Sequence, residues 1–260
     1  MPTSPGPRGR RPANGEPVID RVFRLLGAFN VEDPSLSLTE LSGRAQLPLS
    51  TALRLARKLV ELGVLERTTD GRYAIGLTLL EMASLAPRGH GLRAIAMPFM
   101  EDLHHATRHH VMLAVLENDY AVLVERLSAH KAGRIMYRIG GRLPLHATGV
   151  GQVLLAHSNA EFQEGILARE LLLEPEGTKF SSRELRAALA AVRRDGVAVV
   201  TRPLPEPLTS VAVPIFAGRQ LVASVAIIGP IGTIEPRIIS PALVAVGRAI
   251  SRAVSSPAGP

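Results

Sequence analysis

The chain has 260 residues, enough for two domains with sizeable hydrophobic cores. Its 30 basic and 23 acidic residues give a formal net charge of +7, which is compatible with an anionic partner. It contains no cysteine, which excludes disulfides, thiolate metal sites and cysteine nucleophiles. No apolar run approaches membrane-spanning length, and the N-terminus lacks the apolar core of a signal peptide. We therefore expect a soluble cytoplasmic protein that has no membrane partner.

The N-terminal part begins with a tail and two predicted helices. Residues 1–14 are rich in Pro, Gly and Arg and have almost nothing to bury, so we expect a disordered tail. Apolar residues between Ile19 and Phe29 indicate a first helix, with Pro17 well placed near its start. The sequence Ser-Leu-Thr-Glu at 37–40 is a capping-box pattern that opens a short second helix through Arg44.

A third helix is predicted over the residues from Leu49 to Glu61, after a turn at 46–48. Its apolar residues repeat at helical spacing and form one buried stripe: Ala52, Leu55, Ala56, Leu59 and Leu62. Its polar residues fall together on the opposite face: Ser50, Thr51, Arg54, Arg57, Lys58 and Glu61. Short hydroxyls near base edges, followed by long cations that reach phosphates, suit a helix in a DNA major groove. Taken alone, the pattern fits an ordinary amphipathic helix better; the flanking elements reverse that preference.

A β-hairpin is predicted directly after this third helix. Gly63 ends the helix, Val64–Arg67 and Arg72–Ile75 have strand character, and Asp70-Gly71 is a tight-turn signal. Helix, turn, helix and hairpin in this order predict a winged helix-turn-helix. Residues 1–85 hold 11 basic and nine acidic residues, so local placement of charge carries the DNA argument. We expect DNA contacts from exposed hydroxyls and cations: Thr39, Ser50, Thr51, Arg54, Arg57, Lys58, Arg67, Thr69 and Arg72.

The rest of the chain predicts a linker and a larger α+β domain. We expect a winged helix over 15–77, a linker helix and hinge over 78–91, and a second domain over 92–256. Helices are predicted at 92–103, after the glycine-rich turn within 146–157, and at 160–168, 181–194 and 242–254. Strands are predicted at 111–116, 120–127, 135–139, 197–200, 209–216 and 221–228. Helices on a central antiparallel sheet are the economical arrangement.

Several patterns suggest an enzyme, and none of them amounts to a catalytic centre. The sequence Gly149-Val-Gly151 opens a helix and offers free amides to a phosphate or carboxylate, although a structural turn explains it equally well. No nucleotide-binding glycine motif and no nucleophile elbow is present. Four histidines crowd the region 104–110 without a convincing carboxylate partner. We therefore predict no catalytic residue, no metal and no cofactor.

Taken together, these motifs resemble the IclR-type bacterial transcriptional regulators. The resemblance rests on an ordered set of segments: Leu38-Thr-Glu-Leu, Leu47-Pro48 with Ser50-Thr51-Ala52, Leu59-Val-Glu-Leu-Gly, Asp70-Gly-Arg-Tyr-Ala-Ile-Gly-Leu, Arg142-Leu-Pro-Leu-His146-Ala-Thr-Gly-Val-Gly151, Ser210-Val-Ala-Val-Pro-Ile-Phe216 and Ile228-Gly-Pro230. It covers almost everything beyond the tail. It implies a GAF-like effector-binding domain after the linker and assembly into a homodimer or a dimer of dimers.

The resemblance also implies an effector site at the glycine-rich helix start. Carried over by position, its residues are Ile135, Gly149, Val150, Ser210, Ala226 and Ile228. Family members that bind very small oxo-acids resemble this pattern but have serines where Ala226 and Ile228 stand. A carboxylate that such members carry has no counterpart near Val200 and Thr201. Apolar walls leave a compact polar ligand unpaired at a cost, so we expect a carboxylate with an apolar or aromatic body.

The sequence thus predicts a two-domain regulator, expected to be a repressor. It binds double-stranded operator DNA, and a small organic acid modulates that binding through the linker helix. One recognition helix reads only a half-site, so DNA recognition requires a homo-oligomer. Two alternatives remain at this point. One is a small-molecule enzyme that an N-terminal domain targets to DNA. The other is a nonspecific architectural DNA binder that responds to no ligand.

Overall fold

The computed structural model describes residues 16–86, 91–128, 137–173, 178–202 and 207–256. The predicted tail and the predicted site residue Ile135 lie outside these ranges. The chain divides into two compact units, Met1–Leu85 and Ala86–Pro260.

The first unit is a small helical domain with a short sheet. Its helices are α1 (Val18–Leu26), α2 (Leu38–Arg44), α3 (Leu49–Glu61) and α4 (Leu77–Ser84). Its strands are β1 (Ser35–Leu36), β2 (Leu65–Arg67) and β3 (Tyr73–Ile75), which pair antiparallel in the order β1-β3-β2. The predicted helix-turn-helix and hairpin are therefore present. Strand β1, which turns the hairpin into a three-stranded sheet, was not predicted.

The core of the first unit is formed by the apolar stripe of α3 and by the helices packed on it. Ala52, Leu55, Ala56 and Leu59 are buried as predicted. Leu62 was assigned to the same stripe, but it is 55 % exposed. The reason is that α3 ends at Glu61, so Leu62 is the C-cap residue, and Gly63 turns the chain away with a φ of +69°.

The second unit surrounds a six-stranded antiparallel sheet. Its helices are α5 (Leu92–Thr107), α6 (Gly149–Ala156), α7 (Ala160–Leu167), α8 (Ser182–Asp195) and α9 (Pro236–Ser255). Its long strands are β4 (His110–Glu117), β5 (Tyr120–Leu127), β6 (Arg142–Pro144), β9 (Ala198–Arg202), β10 (Leu208–Ala217) and β11 (Gln220–Pro230). Two short strands, β7 (Leu172–Leu173) and β8 (Thr178–Lys179), pair with each other. The sheet order is β6-β5-β4-β11-β10-β9.

The sheet carries a separate hydrophobic core on each face, because successive residues of a strand point to opposite sides. Even-numbered residues such as Met112, Ala212 and Ala226 pack under α6 and α8. Odd-numbered residues such as Val213 and Val225 pack under α5 and α9. The unit is therefore a three-layer α+β structure. The even-numbered face is the one that meets the glycine-rich start of α6.

One predicted strand is wrong in its position. The apolar run at 135–139 predicted a strand, yet its described part, from Tyr137 to Ile139, has no strand geometry. The strand at this edge is β6, which pairs with Tyr120–Val122 of β5. The turn at Gly140 and Gly141 bonds to both backbone groups of Leu123, so pairing can begin only after it.

Helix α9 is the one helix in the described part of the chain that is long and apolar enough to cross a membrane, by length and composition only. It begins at Pro236, six residues before the predicted start. The prediction that no apolar segment approaches membrane-spanning length is therefore wrong for this helix. In the structure, Leu243, Gly247 and Ile250 of α9 are buried. A Cβ on Gly247 would lie 2.8 Å from a methyl of Val213, so α9 packs closely on β10.

Candidate functional site

The start of α2 is fixed by the predicted capping box. The Ser37 hydroxyl accepts a hydrogen bond from the Glu40 amide at 3.3 Å, and the Glu40 carboxylate accepts one from the Ser37 amide at 2.7 Å. The bond from the Ser37 amide lowers the pKa of Glu40 below its ordinary value, and nearby Arg72 lowers it further. The cap thus holds α2 at a defined start and leaves Thr39 exposed in its first turn.

The polar face of α3 is exposed along its length. Ser50, Arg54 and Arg57 are exposed, and Thr51 is half-buried. Arg54 and Arg57 make no hydrogen bond or ion pair with any residue that the structure describes. Lys58 differs, because its ammonium lies 2.8 Å from the carboxylate of Glu61, which is equally exposed.

The two wing arginines have different surroundings. Arg67 donates to the Gly71 carbonyl at 3.3 Å, and its guanidinium lies 5.7 Å from the ring centre of Tyr73. Arg72 donates to the Glu40 carboxylate at 2.7 Å and to the Ser35 carbonyl at 3.1 Å. Arg72 therefore ties the wing to the start of α2, whereas Arg67 stays on the exposed hairpin.

The turn of the wing is closed by side chains next to Thr69, which is itself exposed. The Thr68 hydroxyl lies 3.1 Å from both the amide and the carbonyl of Arg72. The same hydroxyl donates to the carboxylate of Asp70, and this bond lowers the pKa of Asp70. The wing tip is thus a rigid turn that projects Thr69.

In the second unit, the structure brings the described members of the predicted effector set together. Ser210 is opposite Ile228 in the pairing of β10 with β11, and Ala212 is opposite Ala226. A Cβ on Gly149 would lie 2.6 Å from the Ser210 hydroxyl and 3.2 Å from the Ala212 methyl. The start of α6 therefore rests on β10 beside these residues, and only glycine permits this approach.

The first turn of α6 has amides without acceptors. Thr148 caps the helix: its hydroxyl accepts from the Gly151 amide at 3.2 Å, and its carbonyl accepts from the Gln152 amide at 2.9 Å. The amides of Gly149 and Val150 have no acceptor among the residues that the structure describes. The Ser210 hydroxyl oxygen is buried and has no hydrogen-bond partner there either. Unsatisfied buried donors next to a helix N-terminus favour an anionic ligand.

Three polar residues that were not predicted as site residues lie on the same side of the sheet: Arg126, Tyr137 and Arg202. Arg126 is opposite Met112, which is opposite Ala226, so its side chain emerges on the even-numbered face. Arg126 donates to the carbonyl of Tyr137. The guanidinium of Arg202 lies 3.5 Å from the hydroxyl of the same tyrosine.

His146 completes the polar surroundings of this face. Its ring nitrogen Nε2 lies 2.8 Å from the Leu172 carbonyl oxygen. Burial lowers the pKa of His146 below 6.5, and the positive charge of Arg202 lowers it further, although the bond to Leu172 opposes the shift. His146 is therefore neutral near pH 7.

A large cavity of about 1060 Å³ lies at the opposite end of α6. Its walls include Leu154, His157 and Phe162, together with residues of the turn between β10 and β11. None of the predicted effector residues in the described ranges lines it. Burial lowers the pKa of His157 on this wall, and its ring packs edge-on against Phe216.

Two of the four histidines at 104–110 use a ring nitrogen to contact the backbone. His104 Nδ1 lies 2.8 Å from the His109 carbonyl oxygen, and His105 Nδ1 lies 3.2 Å from that of Glu101. Within the described ranges, no group of three or more His, Asp or Glu side chains could hold a metal ion.

A winged helix-turn-helix unit joined to an α+β unit with a candidate anion site defines a class: a regulator that binds DNA and senses a small molecule in one chain. Comparison with protein families assigns both units. The IclR helix-turn-helix model matches residues 18–69, and the model of the bacterial transcriptional regulator IclR C-terminal domain matches residues 86–256. The chain belongs to the IclR family of bacterial transcriptional regulators.

Individual relatives agree with this assignment. The chain is 30 % identical to the transcriptional repressor IclR of Escherichia coli over 242 residues, covering 88 % of each chain. It is 29 % identical to the regulator KipR of Bacillus subtilis over 218 residues, covering 83 % of this chain and 87 % of the relative. An IclR homologue from Microbacterium hydrocarbonoxydans, solved with 4-hydroxybenzoate, is 32 % identical with a TM-score of 0.85 and covers 92 % of this chain and 99 % of its own.

Proposed function

We propose that this regulator is a cytoplasmic homo-oligomeric repressor whose operator binding is modulated by a carboxylic acid with an apolar or aromatic body. The ligand class rests on one observation: the amides of Gly149 and Val150 meet the buried hydroxyl of Ser210, and none of the three groups has a hydrogen-bond partner among the described residues. These three donors suit one carboxylate, which the N-terminal end of the helix dipole also favours.

The apolar residues on the strands next to these donors favour a ligand with an apolar body. Ala226 and Ile228 are buried and belong to the hydrophobic core of this face. Neither can hydrogen-bond the second polar group of a glyoxylate-sized acid, whereas burying apolar ligand surface contributes about 25 cal/mol per Å². The related Microbacterium hydrocarbonoxydans structure holds 4-hydroxybenzoate, an acid of the proposed kind.

Calorimetric titration tests the ligand class. The protein is titrated with 4-hydroxybenzoate, phenylacetate, pyruvate and glyoxylate, and the double variant Ala226→Ser/Ile228→Ser is titrated in parallel. We expect the unmodified protein to prefer the aromatic acids and the variant to lose affinity for them while gaining affinity for the small oxo-acids. Tight binding of pyruvate or glyoxylate by the unmodified protein, without a response to the aromatic acids, would contradict the proposal.

We assign base reading on DNA to Ser50, Thr51 and Arg54 at the start of α3 and to Thr39 in the first turn of α2. Phosphate contacts are assigned to Arg57, Lys58, Arg67 and Thr69. The exposure of Arg54 and Arg57 without partners among the described residues supports this division. Arg72 was grouped with the DNA contacts from sequence. Its bonds to Glu40 and Ser35 favour a role in positioning the wing.

Substitutions on α3 separate base contacts from phosphate contacts. Arg54→Ala is expected to cost roughly 1–3 kcal/mol on operator DNA and less on unrelated duplexes. Arg57→Ala is expected to weaken binding to all duplexes and to lower the salt slope by about one. The matched control is Glu61→Ala, which releases Lys58 and should strengthen binding to all duplexes. Unchanged operator affinity and salt slope in Arg54→Ala and Arg57→Ala would refute the assignment of α3.

Uncovered apolar side chains in the first unit support self-association. No residue of α4 is buried. Leu77, Leu80, Met82 and Leu85 are between 60 % and 81 % exposed, and Phe23 of α1 is 69 % exposed. Clustered exposed apolar side chains are typical of interaction surfaces. Size-exclusion chromatography with light scattering tests this proposal, because Leu80→Asp should then shift the protein toward the monomer.

No residue set in the described ranges favours the enzyme alternative. A mass-spectrometric search for turnover of each bound acid separates the two hypotheses, since a regulator releases its ligand unchanged. Conversion of any ligand at a stoichiometry above one per protein would favour the enzyme.

A further inference from the structure

The cavity at the C-terminal end of α6 is separate from the candidate effector site and touches both hydrophobic cores of the second unit. Its volume is about 1060 Å³. On one part of its wall, Leu154 belongs to the core under α6, and Phe162 packs against that core. On another part, Leu92 belongs to the core under α5 and α9, and Val254 packs against it. The cavity therefore curves round the end of the sheet, past the turn between β10 and β11.

The walls of this cavity are held in place by contacts within the fold. In the turn between β10 and β11, the amide of Gly218 donates a hydrogen bond to the Ser255 hydroxyl of α9 at 3.0 Å. On the side of α6, the ring of His157 packs edge-on against Phe216 of β10, with 5.2 Å between the ring centres. The turn that carries Arg219 therefore has a fixed position at the cavity.

The lining of the cavity is mostly apolar, and its charge is positive. Most of its side chains are those of Leu, Ile, Val and Phe, and none of the lining residues that the structure describes is Asp or Glu. Arg219 lines the cavity and is exposed, and it makes no hydrogen bond or ion pair with any described residue. Burial lowers the pKa of His157, and the charge of Arg193 lowers it further, so this lining residue is neutral near pH 7. A large apolar cavity with few polar groups is typical of a small-molecule site.

We infer that this cavity is a second ligand site and that its ligand is an unbranched aliphatic carboxylic acid. The apolar walls favour an apolar body, and a flexible alkyl chain can follow a cavity that curves, whereas a rigid ring system cannot. The carboxylate pairs with Arg219, because no acidic side chain of the described lining competes for that guanidinium. The two sites share no residue that the structure describes, so this inference is independent of the anion site at the start of α6.

Calorimetry with the full-length protein tests the alkyl chain. Hexanoate, octanoate and decanoate are titrated into the unmodified protein, first alone and then with 4-hydroxybenzoate present in excess to occupy the candidate effector site. Burial of each added methylene should tighten binding about threefold to fourfold, so decanoate should bind about a hundredfold more tightly than hexanoate. We expect 4-hydroxybenzoate to leave the affinity for decanoate unchanged.

Fluorescence locates the bound acid, because the chain contains no tryptophan. Ile95 lines the cavity and is 37 % exposed, so Ile95→Trp places a single tryptophan on the wall at a position that tolerates a large side chain. The matched control is Ala94→Trp, at the preceding, exposed position, which does not line the cavity. Decanoate should shift the emission of Ile95→Trp to shorter wavelength, with the same affinity as in calorimetry, and should leave the emission of Ala94→Trp unchanged.

Substitution of Arg219 tests the acidic head group. The unmodified protein should bind octanoate about threefold more tightly than octan-1-ol, since an exposed ion pair contributes about that factor. Arg219→Gln should remove this preference by weakening octanoate binding alone. The matched control is Arg248→Gln, at an exposed position of α9 outside the lining, which should leave both affinities unchanged.

Three outcomes would overturn the inference. The second site is refuted if decanoate binds no more tightly than hexanoate, if 4-hydroxybenzoate displaces it, or if the emission of Ile95→Trp does not respond to it. The acidic head group is refuted if Arg219→Gln changes the affinities for octanoate and octan-1-ol equally. If no acid binds and Ile95→Trp alters the oligomeric state in size-exclusion chromatography, the cavity is a contact between copies of the chain and the inference falls. Because the chain-length series uses the unmodified protein, a variant that fails to fold does not leave the inference untested.

Discussion

The close packing of α6 against the preceding segment can be tested at Gly151, where there is no room for even one methyl group. A Cβ at this position would lie 2.6 Å from the Cα of Leu145, 2.6 Å from the Thr148 hydroxyl and 2.7 Å from the Leu145 carbonyl oxygen. Two of these atoms belong to the backbone and cannot rotate away. Overpacking lowers the free energy of unfolding by about 1–3 kcal/mol. The higher helix propensity of Ala than of Gly offsets about 1 kcal/mol of that loss. Because three atoms lie within 2.7 Å and two of them are backbone, the overpacking cost falls at the upper end of this range, and Gly151→Ala should destabilise the protein by about 2 kcal/mol.

Gly165→Ala is the matched control for this substitution. Gly165 is exposed on α7 in the same unit, and an added Cβ would meet no atom within 4 Å. The same chemical change should therefore stabilise the protein by up to about 1 kcal/mol. In thermal melts, the loss in Gly151→Ala corresponds to a fall of about 4–8 °C in the melting temperature, whereas the melting temperature of Gly165→Ala should rise.

The two variants also differ in their expected effect on ligand binding. Displacing α6 at Gly151 moves the amides of Gly149 and Val150, so calorimetry should show weaker acid binding in Gly151→Ala and unchanged binding in Gly165→Ala. If Gly151→Ala melted as high as the wild type and bound acids equally well, the close seat of α6 on Leu145 would be wrong. The geometry argued for the anion site would then lose its support.

Three further predictions concern other parts of the molecule. Because burial lowers the pKa of His146, the unfolded state takes up a proton first as the pH falls below 6.5. Denaturant melts from about pH 7.5 to about pH 5.5 should then show a stability loss that is smaller in His146→Gln but not in the exposed control His105→Gln. Ser37→Ala removes the α2 cap and should cost about 1 kcal/mol in denaturant melts, whereas Ser37→Asp should retain most of the stability. The fragment 86–256 should remain folded and self-associated but lose DNA binding; a monomeric fragment in size-exclusion chromatography would contradict the proposed assembly.

The sequence by itself determined the first unit in considerable detail, because its signals are local. The periodicity of α3 and the capping box at Ser37 depend on residues within one or two helical turns of each other. The tight turn at Asp70-Gly71 is equally local. Leu62 was placed wrongly because a periodic pattern continues past the point where a helix ends, and the αL turn at Gly63 decides that point.

In the second unit, the resemblance to the family predicted a set of effector residues. The register of the sheet shows how the predicted effector residues in the described ranges come together. Pairing between β10 and β11 puts Ser210 opposite Ile228. Helix α6 packs closely on Ser210 because Gly149 has no side chain. Pairing likewise decided the edge strand, because β5 bonds to the segment after Gly141. The more apolar run that precedes that glycine predicted a strand in the wrong place.

The face of the sheet on which Arg126 lies was decided by tertiary structure alone. Simple alternation along β5 places Glu125 on the same face as Leu123, which belongs to the core under α6. A register shift between Leu113 and Ala114 lets Leu123 and Glu125 face opposite sides, so Arg126 lies on the face under α6. One extra residue in a strand reverses every side chain after it, and no local pattern encodes where that residue falls. The sequence therefore determined which residues are present, and the bulge decided which of them lie on the face under α6.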